Sequence, residues 1–131
     1  MKGIENINQL IKEMKPVLDN KEYFFCTILK GVPKELDPIL IFKEKEGVTL
    51  ILDRKSADLH SLPYSGIWSL ITLSVHSDIS AVGFLAFITE KLAKAGISVN
   101  VVSAYYHDHL FVPFEVKEKA MKILEGLSVS I

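Results

Sequence analysis

Hydrophobic and polar positions follow helical and strand periods in successive segments of this chain. In residues 4–14, apolar side chains recur every three or four positions, which predicts an amphipathic helix that ends near Pro16. Short apolar runs predict strands at 23–29, 38–42 and 48–52. The last two runs are joined by a charged stretch with a glycine, so we expect an antiparallel hairpin. Ser56 is suited to cap a short helix at 57–60.

The C-terminal half has a regular order of elements. Apolar runs predict strands at 67–75, 97–104, 110–114 and 127–131. Amphipathic segments predict helices at 81–95 and 116–125, the first with Ser80 as its cap and Gly96 in a left-handed turn at its end. The buried face of the first helix is expected at positions 81, 85, 88, 92 and 95, widened by Phe84 and Phe87 on its flanks. This βαββαβ order implies an α+β, ferredoxin-like antiparallel sheet with both helices on one face. The N-terminal half is the candidate cover for the other face.

Length and composition indicate one domain, or two very small domains packed together. The 131 residues are 49% hydrophobic and carry a net charge of −1, so the chain lacks the charge excess that nucleic acid or acidic membrane binding requires. No apolar run approaches the roughly 20 residues that span a bilayer, and Glu5 and Asn6 interrupt the start where a signal peptide is apolar. We therefore expect a cytoplasmic protein. The single cysteine, Cys26, lies in an apolar run and is expected to be buried.

Polar residues concentrate in two loops that each follow a strand. In the first loop, Ser77 and Asp78 precede the helix predicted at 81–95, whose first-turn amides attract an anionic group such as a carboxylate. Gly83 lets a ligand or another backbone approach closely, and Asp78 can receive an ammonium. Such a site suits an amino acid. The alternative is that Ser77, Asp78 and Ser80 only cap the helix.

The second loop has the sequence His107-Asp108-His109. With His76 as a third imidazole it would suit a metal, and a His–Asp pair would suit acid–base catalysis. No cysteine ligand is nearby and no nucleophile is placed beside it, so we expect no metal and no cofactor. Asp108 is equally suited to hydrogen bonding with turn amides. Asn100 interrupts an apolar strand, and its amide must be hydrogen-bonded or face a site.

Several strings of the chain resemble the ACT-domain small-molecule regulators. The main one is SVHSDISAVGFLAFITEKLAKAGISVNVVSAYYHDHLFVP, and EYFFCTI and EGVTLIL extend the resemblance into the N-terminal half. The chain looks like a family of short bacterial and archaeal proteins in which an N-terminal ACT-like segment precedes a C-terminal ACT repeat. It is more distantly similar to the ACT repeats of the cytosolic arginine sensor. The resemblance implies two ACT-like units in tandem, 1–65 (permuted or incomplete) and 66–131.

The resemblance also implies a function. ACT units generally bind amino acids as non-enzymatic regulatory modules and associate through sheets or helices, so an amino acid effector and a homodimer are expected. First-turn amides hold the ligand in such repeats, and an aspartate after the second strand contacts it, which Asp108 matches. The candidate ligand-binding residues are Ser77, Asp78, Ala81, Val82, Gly83, Asn100 and Asp108. An enzyme that uses the histidine loop and a purely structural interaction domain are the alternatives.

Overall fold

The computed structural model describes residue 3 and residues 6–29, 31–64, 66–78 and 81–129. In chain order, the elements of this part are α1 (Ile7–Glu13), β1 (Lys15–Leu18), β2 (Tyr23–Ile28), β3 (Leu40–Lys43), β4 (Val48–Asp53), α2 (Arg54–Leu59), β5 (Trp68–Ser74), α3 (Phe84–Lys94), β6 (Asn100–Ser103), β7 (Asp108–Pro113), a short 3-10 helix (Phe114–Val116) and α4 (Lys117–Leu127). None of these helices is long and apolar enough to cross a membrane.

The chain divides into two compact units, and the first of them is made of two separate stretches of sequence. The first unit contains the described residues up to Asn20 together with those from Ser69 onward, and the second contains Lys21–Trp68. The N-terminal helix and strand therefore pack with the C-terminal half of the chain. The tandem ACT boundary between 65 and 66 stays a prediction, because it concerns the limits of family units rather than of compact units.

The sheet of the first unit has the strand order β1-β5-β7-β6. β1 is antiparallel to β5, with Pro16 opposite Leu73, and β6 is antiparallel to β7, with Val102 opposite His109. The order β5, α3, β6, β7, α4 along the chain is the one that the sequence predicted. The predicted α+β, ferredoxin-like class is thus confirmed, with the N-terminal strand β1 beside β5.

The predicted terminal strand at 127–131 is wrong over its described part. Helix α4 continues through Gly126 to Leu127, and a turn follows at Ser128 and Val129. A glycine inside a helix lowers stability by roughly 0.5–1 kcal/mol relative to alanine. Burial of Leu124 in the last turns of α4 offsets this cost. The strand that the sequence did not predict is β1. Its Pro16, opposite Leu73, is tolerated because β1 pairs with one neighbour only among the described strands.

The core of the first unit draws on all its helices and on the inner strands β5 and β7. Its fully or nearly fully buried members are Leu10, Ile11, Met14, Ile71, Leu73, Val75, Phe84, Ile88, Leu92, Ile97, Leu110, Val112, Ala120 and Leu124. Helix α3 buries Phe84, Ile88 and Leu92, which are one helical turn apart. Of the predicted face, Ile88 and Leu92 are buried, and Ala81, Leu85 and Ala95 are partly buried against the same core. The predicted cap Ser80 lies outside the described residues.

The second unit is built on an antiparallel sheet with β4 between β3 and β2. This confirms the predicted hairpin of β3 and β4. The buried core residues of this unit are Phe24, Cys26, Leu36, Leu50, Leu52 and Ala57. Cys26 is buried as predicted, and that burial raises the pKa of its thiol. The predicted cap of α2 is wrong, because Asp53 is the capping residue and accepts a hydrogen bond of 2.8 Å from the amide of Ser56.

Candidate functional site

A cleft of about 390 Å³ lies at the N-terminal end of α3, within the first unit. It is lined by Ser77, Asp78, Ala81, Gly83, Phe84, Leu85, Ala86, Ser103, Ala104 and Asp108. Five of the seven predicted ligand-binding residues are therefore brought together. The described lining contains two carboxylates and no lysine, arginine or histidine.

Neighbouring strands bring the two predicted loops to the same cleft. Ser77 follows β5, and Asp108 is the first residue of β7, which lies next to β5 in the sheet. The Ser77 hydroxyl donates a hydrogen bond of 3.1 Å to Oδ2 of Asp108. Both residues are buried, with 8% and 6% of their surface exposed. A buried carboxylate needs such a donor, because an unpaired one would carry a large desolvation cost.

The loop between β5 and α3 is shaped by its own backbone hydrogen bonds. The Ser77 amide donates to the Val75 carbonyl at 2.9 Å, and the Ala81 amide donates to the Asp78 carbonyl at 2.9 Å. Gly83 then has a φ of 89°, in the left-handed region that glycine adopts without steric cost. This conformation is incompatible with a helix that begins at Ala81. It fixes the start of α3 at the next residue.

The helix amides at the cleft are consequently not those that the sequence predicted. The first helical hydrogen bond runs from the Phe87 amide to the Gly83 carbonyl, at 3.0 Å. The amides of Phe84, Leu85 and Ala86 precede it and have no acceptor within the helix. All three residues line the cleft. The signal that could have located them is Gly83 itself, read as the residue before the helix rather than as part of its first turn.

Two predicted residues lie outside the cleft lining. Val82 is 86% exposed, next to Gly83 in the loop. Asn100, the first residue of β6, is exposed and stands opposite Phe111 in the sheet. Its polar amide is tolerated in an apolar strand because it reaches solvent. Contact of Val82 or Asn100 with a ligand stays a prediction.

The two histidines beside Asp108 lie outside the cleft lining and bond to structural partners. The His107 Nδ1–H donates to the Val75 carbonyl at 3.3 Å, and His109 Nδ1 is hydrogen-bonded to the Thr72 hydroxyl at 3.0 Å. Burial lowers the pKa of His109, and the neighbouring His107 lowers it further, while Asp108 acts in the opposite direction. These imidazoles thus serve the packing of β7 against β5.

The third predicted imidazole, His76, lies in an aromatic cluster. Its ring centroid is 6.4 Å from that of Tyr105 and 5.4 Å from that of Tyr106, and the two tyrosines meet edge to face. The three histidines do not converge on one point. Within the described residues, no group of three or more histidine, cysteine or acidic side chains is placed to hold a metal ion.

Family models cover most of this chain. A model of the ACT domain matches residues 2–69, and a second ACT-domain model matches residues 67–126. The chain belongs to the ACT-domain family. ACT domains are regulatory rather than catalytic units, and the match of two models in tandem confirms the resemblance seen in the sequence.

Solved structures include a near relative of this ACT protein and more distant ones. A protein of unknown function from Vibrio cholerae, described as a possible transport protein, is 41% identical over 92% of this chain and 94% of its own, with a TM-score of 0.85. A protein from Agrobacterium tumefaciens is 19% identical over 88% of this chain and 89% of its own, with a TM-score of 0.75. The ligand-free regulatory subunit of aspartate kinase from Thermus thermophilus is 11% identical over 89% of this chain and 97% of its own, with a TM-score of 0.65. The last two show the fold alone. No curated protein matches the sequence significantly.

Proposed function

We propose that this ACT-domain protein is a non-catalytic regulatory module that binds a free amino acid in the cleft at the start of α3. The observation that carries the proposal is that one cleft combines helix amides without helical acceptors and a buried carboxylate. The amides of Phe84, Leu85 and Ala86, with the positive end of the helix dipole behind them, suit the carboxylate of the ligand. Asp108 suits its ammonium group.

The surrounding residues complete this assignment. Ser77 fixes the Asp108 carboxylate through the 3.1 Å hydrogen bond, and Asp78 adds a second negative charge at the cleft. Ala81 and Gly83 contribute little side-chain volume, so a ligand can reach the backbone. The volume of about 390 Å³ lies at the lower end of the range of roughly 300–1,000 Å³ typical of small-molecule sites. An amino acid is a ligand of suitable size.

The assembly that we propose is a cytoplasmic homodimer. β6 pairs with β7 alone among the described strands, so one edge of β6 has backbone groups open to a second copy. The net charge of −1 gives no support to a nucleic acid or acidic membrane partner. Sedimentation velocity with and without the amino acid tests this assembly. A monomer under both conditions would contradict it.

A thermal-shift screen of the twenty amino acids, with zinc and chelator controls, tests the binding function. We expect one amino acid, or a few related ones, to raise the melting temperature, because a ligand that binds only the folded state stabilises it. A shift that depends on metal alone would instead support the enzyme alternative that uses the histidine loop. No shift with any additive would support a structural interaction domain.

The variant Asp108→Asn tests the site directly. The Ser77 hydroxyl can still donate to the carbonyl oxygen of the new amide side chain, so the packing is retained while the charge is lost. Hydrogen bonds to charged groups contribute about 1.5–3 kcal/mol, so affinity for the amino acid is expected to fall at least roughly tenfold in calorimetric titrations. Asp37→Asn, at an exposed position of the second unit, is the control and should bind as the parent protein does. Equal affinity of the two variants would place the ligand elsewhere.

A further inference from the structure

Gly3 lies directly against the backbone of the loop that carries Ser77 and Asp78. A Cβ atom at Gly3 would stand 2.7 Å from the amide nitrogen of Asp78 and 2.8 Å from both the carbonyl oxygen of His76 and the carbonyl carbon of Ser77. All three neighbours are backbone atoms, so a side chain could not be accommodated by a rotamer change. Only glycine permits this close approach.

The following helix, α1, approaches the other end of the same loop. Cδ1 of Ile7, the first residue of α1, lies 3.4 Å from the position that a Cβ at Gly83 would take. Helix α1 is itself fixed, because Leu10 and Ile11 are buried in the core of the first unit. Gly3 therefore lies against the start of the loop, and Ile7, on a helix anchored in the core, lies near its end.

We propose that Gly3 is a positioning residue for the candidate site, which holds the Ser77 backbone where the Ser77 hydroxyl meets Asp108. That hydroxyl is 3.1 Å from Oδ2 of Asp108, so a displacement of the loop by less than about 1 Å breaks the hydrogen bond. The consequence for ligand binding rests on the proposed function. The effect of Gly3 on the loop is independent of the proposed function and can be measured in the protein without ligand.

The test compares two glycine variants with similar backbone clashes. Gly3→Ala introduces a Cβ against the loop of the site. Gly47→Ala is the matched control, because a Cβ there would stand 2.8 Å from the carbonyl oxygen of Ile28, in the second unit. Any general loss of stability is thus separated from an effect that is confined to the loop.

The readout is hydrogen exchange of individual amides, followed by NMR without ligand. Ser77 and Ala81 report on the loop, since their amides donate to the carbonyls of Val75 and Asp78, and Phe87 reports on helix α3. In Gly3→Ala we expect exchange at Ser77 and Ala81 to accelerate about tenfold relative to Phe87, as local opening predicts. In Gly47→Ala the ratio of loop exchange to helix exchange should stay at its original value.

An unchanged ratio in folded Gly3→Ala would overturn the proposal. Should this variant fail to fold, deletion of residues 1–5 removes the contact without adding a Cβ and leaves α1 in place, and the same local acceleration is expected. If the amides of Ser77 and Ala81 exchange in the deletion variant as slowly as in the parent protein, the proposal is also overturned. If the screen identifies an amino acid, Gly3→Ala should weaken its binding several-fold while Gly47→Ala does not. If no amino acid binds, the proposed function fails and the exchange data still decide the role of Gly3.

Discussion

Two buried serines of the first unit, Ser77 and Ser69, differ in the hydrogen bonding of their hydroxyl groups. The Ser77 hydroxyl donates to Asp108, whereas the Ser69 hydroxyl, with 1% of the residue exposed, has no hydrogen-bond partner within the described part of the chain. A buried polar atom without a partner costs about 1–3 kcal/mol. Ser77 therefore supports the candidate site, while Ser69 is a local cost to stability.

Substitution of these two serines is expected to have opposite effects. Ser69→Ala removes an unsatisfied hydroxyl and should raise the free energy of unfolding by up to about 1 kcal/mol. Ser77→Ala leaves the buried Asp108 carboxylate without the Ser77 donor. This variant should lower the free energy of unfolding by about 1–3 kcal/mol. Urea denaturation of both variants measures the difference. A destabilised Ser69→Ala variant would show that the hydroxyl has a partner after all.

His109 predicts a pH dependence of stability. Its pKa is lowered in the folded protein, chiefly by burial and then by His107, so the folded state binds fewer protons than the unfolded state below the ordinary value of 6.5. Stability should therefore fall as the pH drops through about 6.5 towards the lower folded pKa. In His109→Gln, urea midpoints should decline less over this range. His60→Gln, in the second unit, is the control, and equal pH profiles for both variants would contradict the assignment.

Helix α3 depends on one glycine for its starting point, and α4 tolerates another inside it. Gly83 has a φ of 89°, and a Cβ there would contact Ile7, whereas Gly126 lies within α4, where no atom of the described residues beyond its own helix is near its Cβ position. Gly83→Ala should cost about 1–2 kcal/mol for the left-handed conformation. Gly126→Ala should stabilise by about 0.5–1 kcal/mol. Thermal unfolding measures both, and a neutral Gly83→Ala would show that the loop rearranges freely.

The periodicity of apolar residues predicted the existence of α3 but not its first residue. Ala81 and Leu85 fit a helical stripe as well as Phe84 does, so periodicity alone could not exclude a helix from Ala81. What excludes it is the backbone angle of Gly83, beside which Ile7, from the start of the chain's described helices, is placed. Contacts between distant segments of the sequence are not visible in a local pattern.

The same limit applies to the candidate site. Ser77 and Asp78 were predicted from their place before the N-terminus of a helix, and Asp108 from the resemblance to ACT domains. The three residues line one cleft. The outward position of Val82 and the solvent exposure of Asn100 depend on the path of the loop and on which face of β6 is covered. Neither of these is determined by the residues in the immediate neighbourhood.

At the scale of the whole molecule, the first unit is completed by residues from the N-terminal end of the chain. β1 pairs with β5, and Leu10, Ile11 and Met14 are fully buried in the core of this unit. The resemblance to tandem ACT units assigns α1 to the unit 1–65, and that division into family units stays a prediction. In the sequence, Pro16 indicates the end of a helix, and the strand β1 that contains it was not predicted.

This arrangement predicts that residues 66–131 do not form a stable unit alone. Loss of three fully buried side chains removes about 1.5–3 kcal/mol each, which together is comparable to the whole stability of roughly 5–15 kcal/mol that small domains have. The isolated fragment should show no cooperative unfolding by circular dichroism. Addition of a peptide that spans residues 6–20 should restore ordered structure. Cooperative unfolding of the fragment without the peptide would contradict this prediction.

The division of the first unit into two stretches of sequence also bears on synthesis at the ribosome. Residues 21–68 are contiguous, and the described members of their core cluster all lie within this stretch. α1 and β1 emerge earlier, yet their partners in the sheet and core are translated only afterwards. The helix α1 and the strand β1 therefore leave the ribosome before the residues that they pack against, and are among the last elements of the first unit to become ordered.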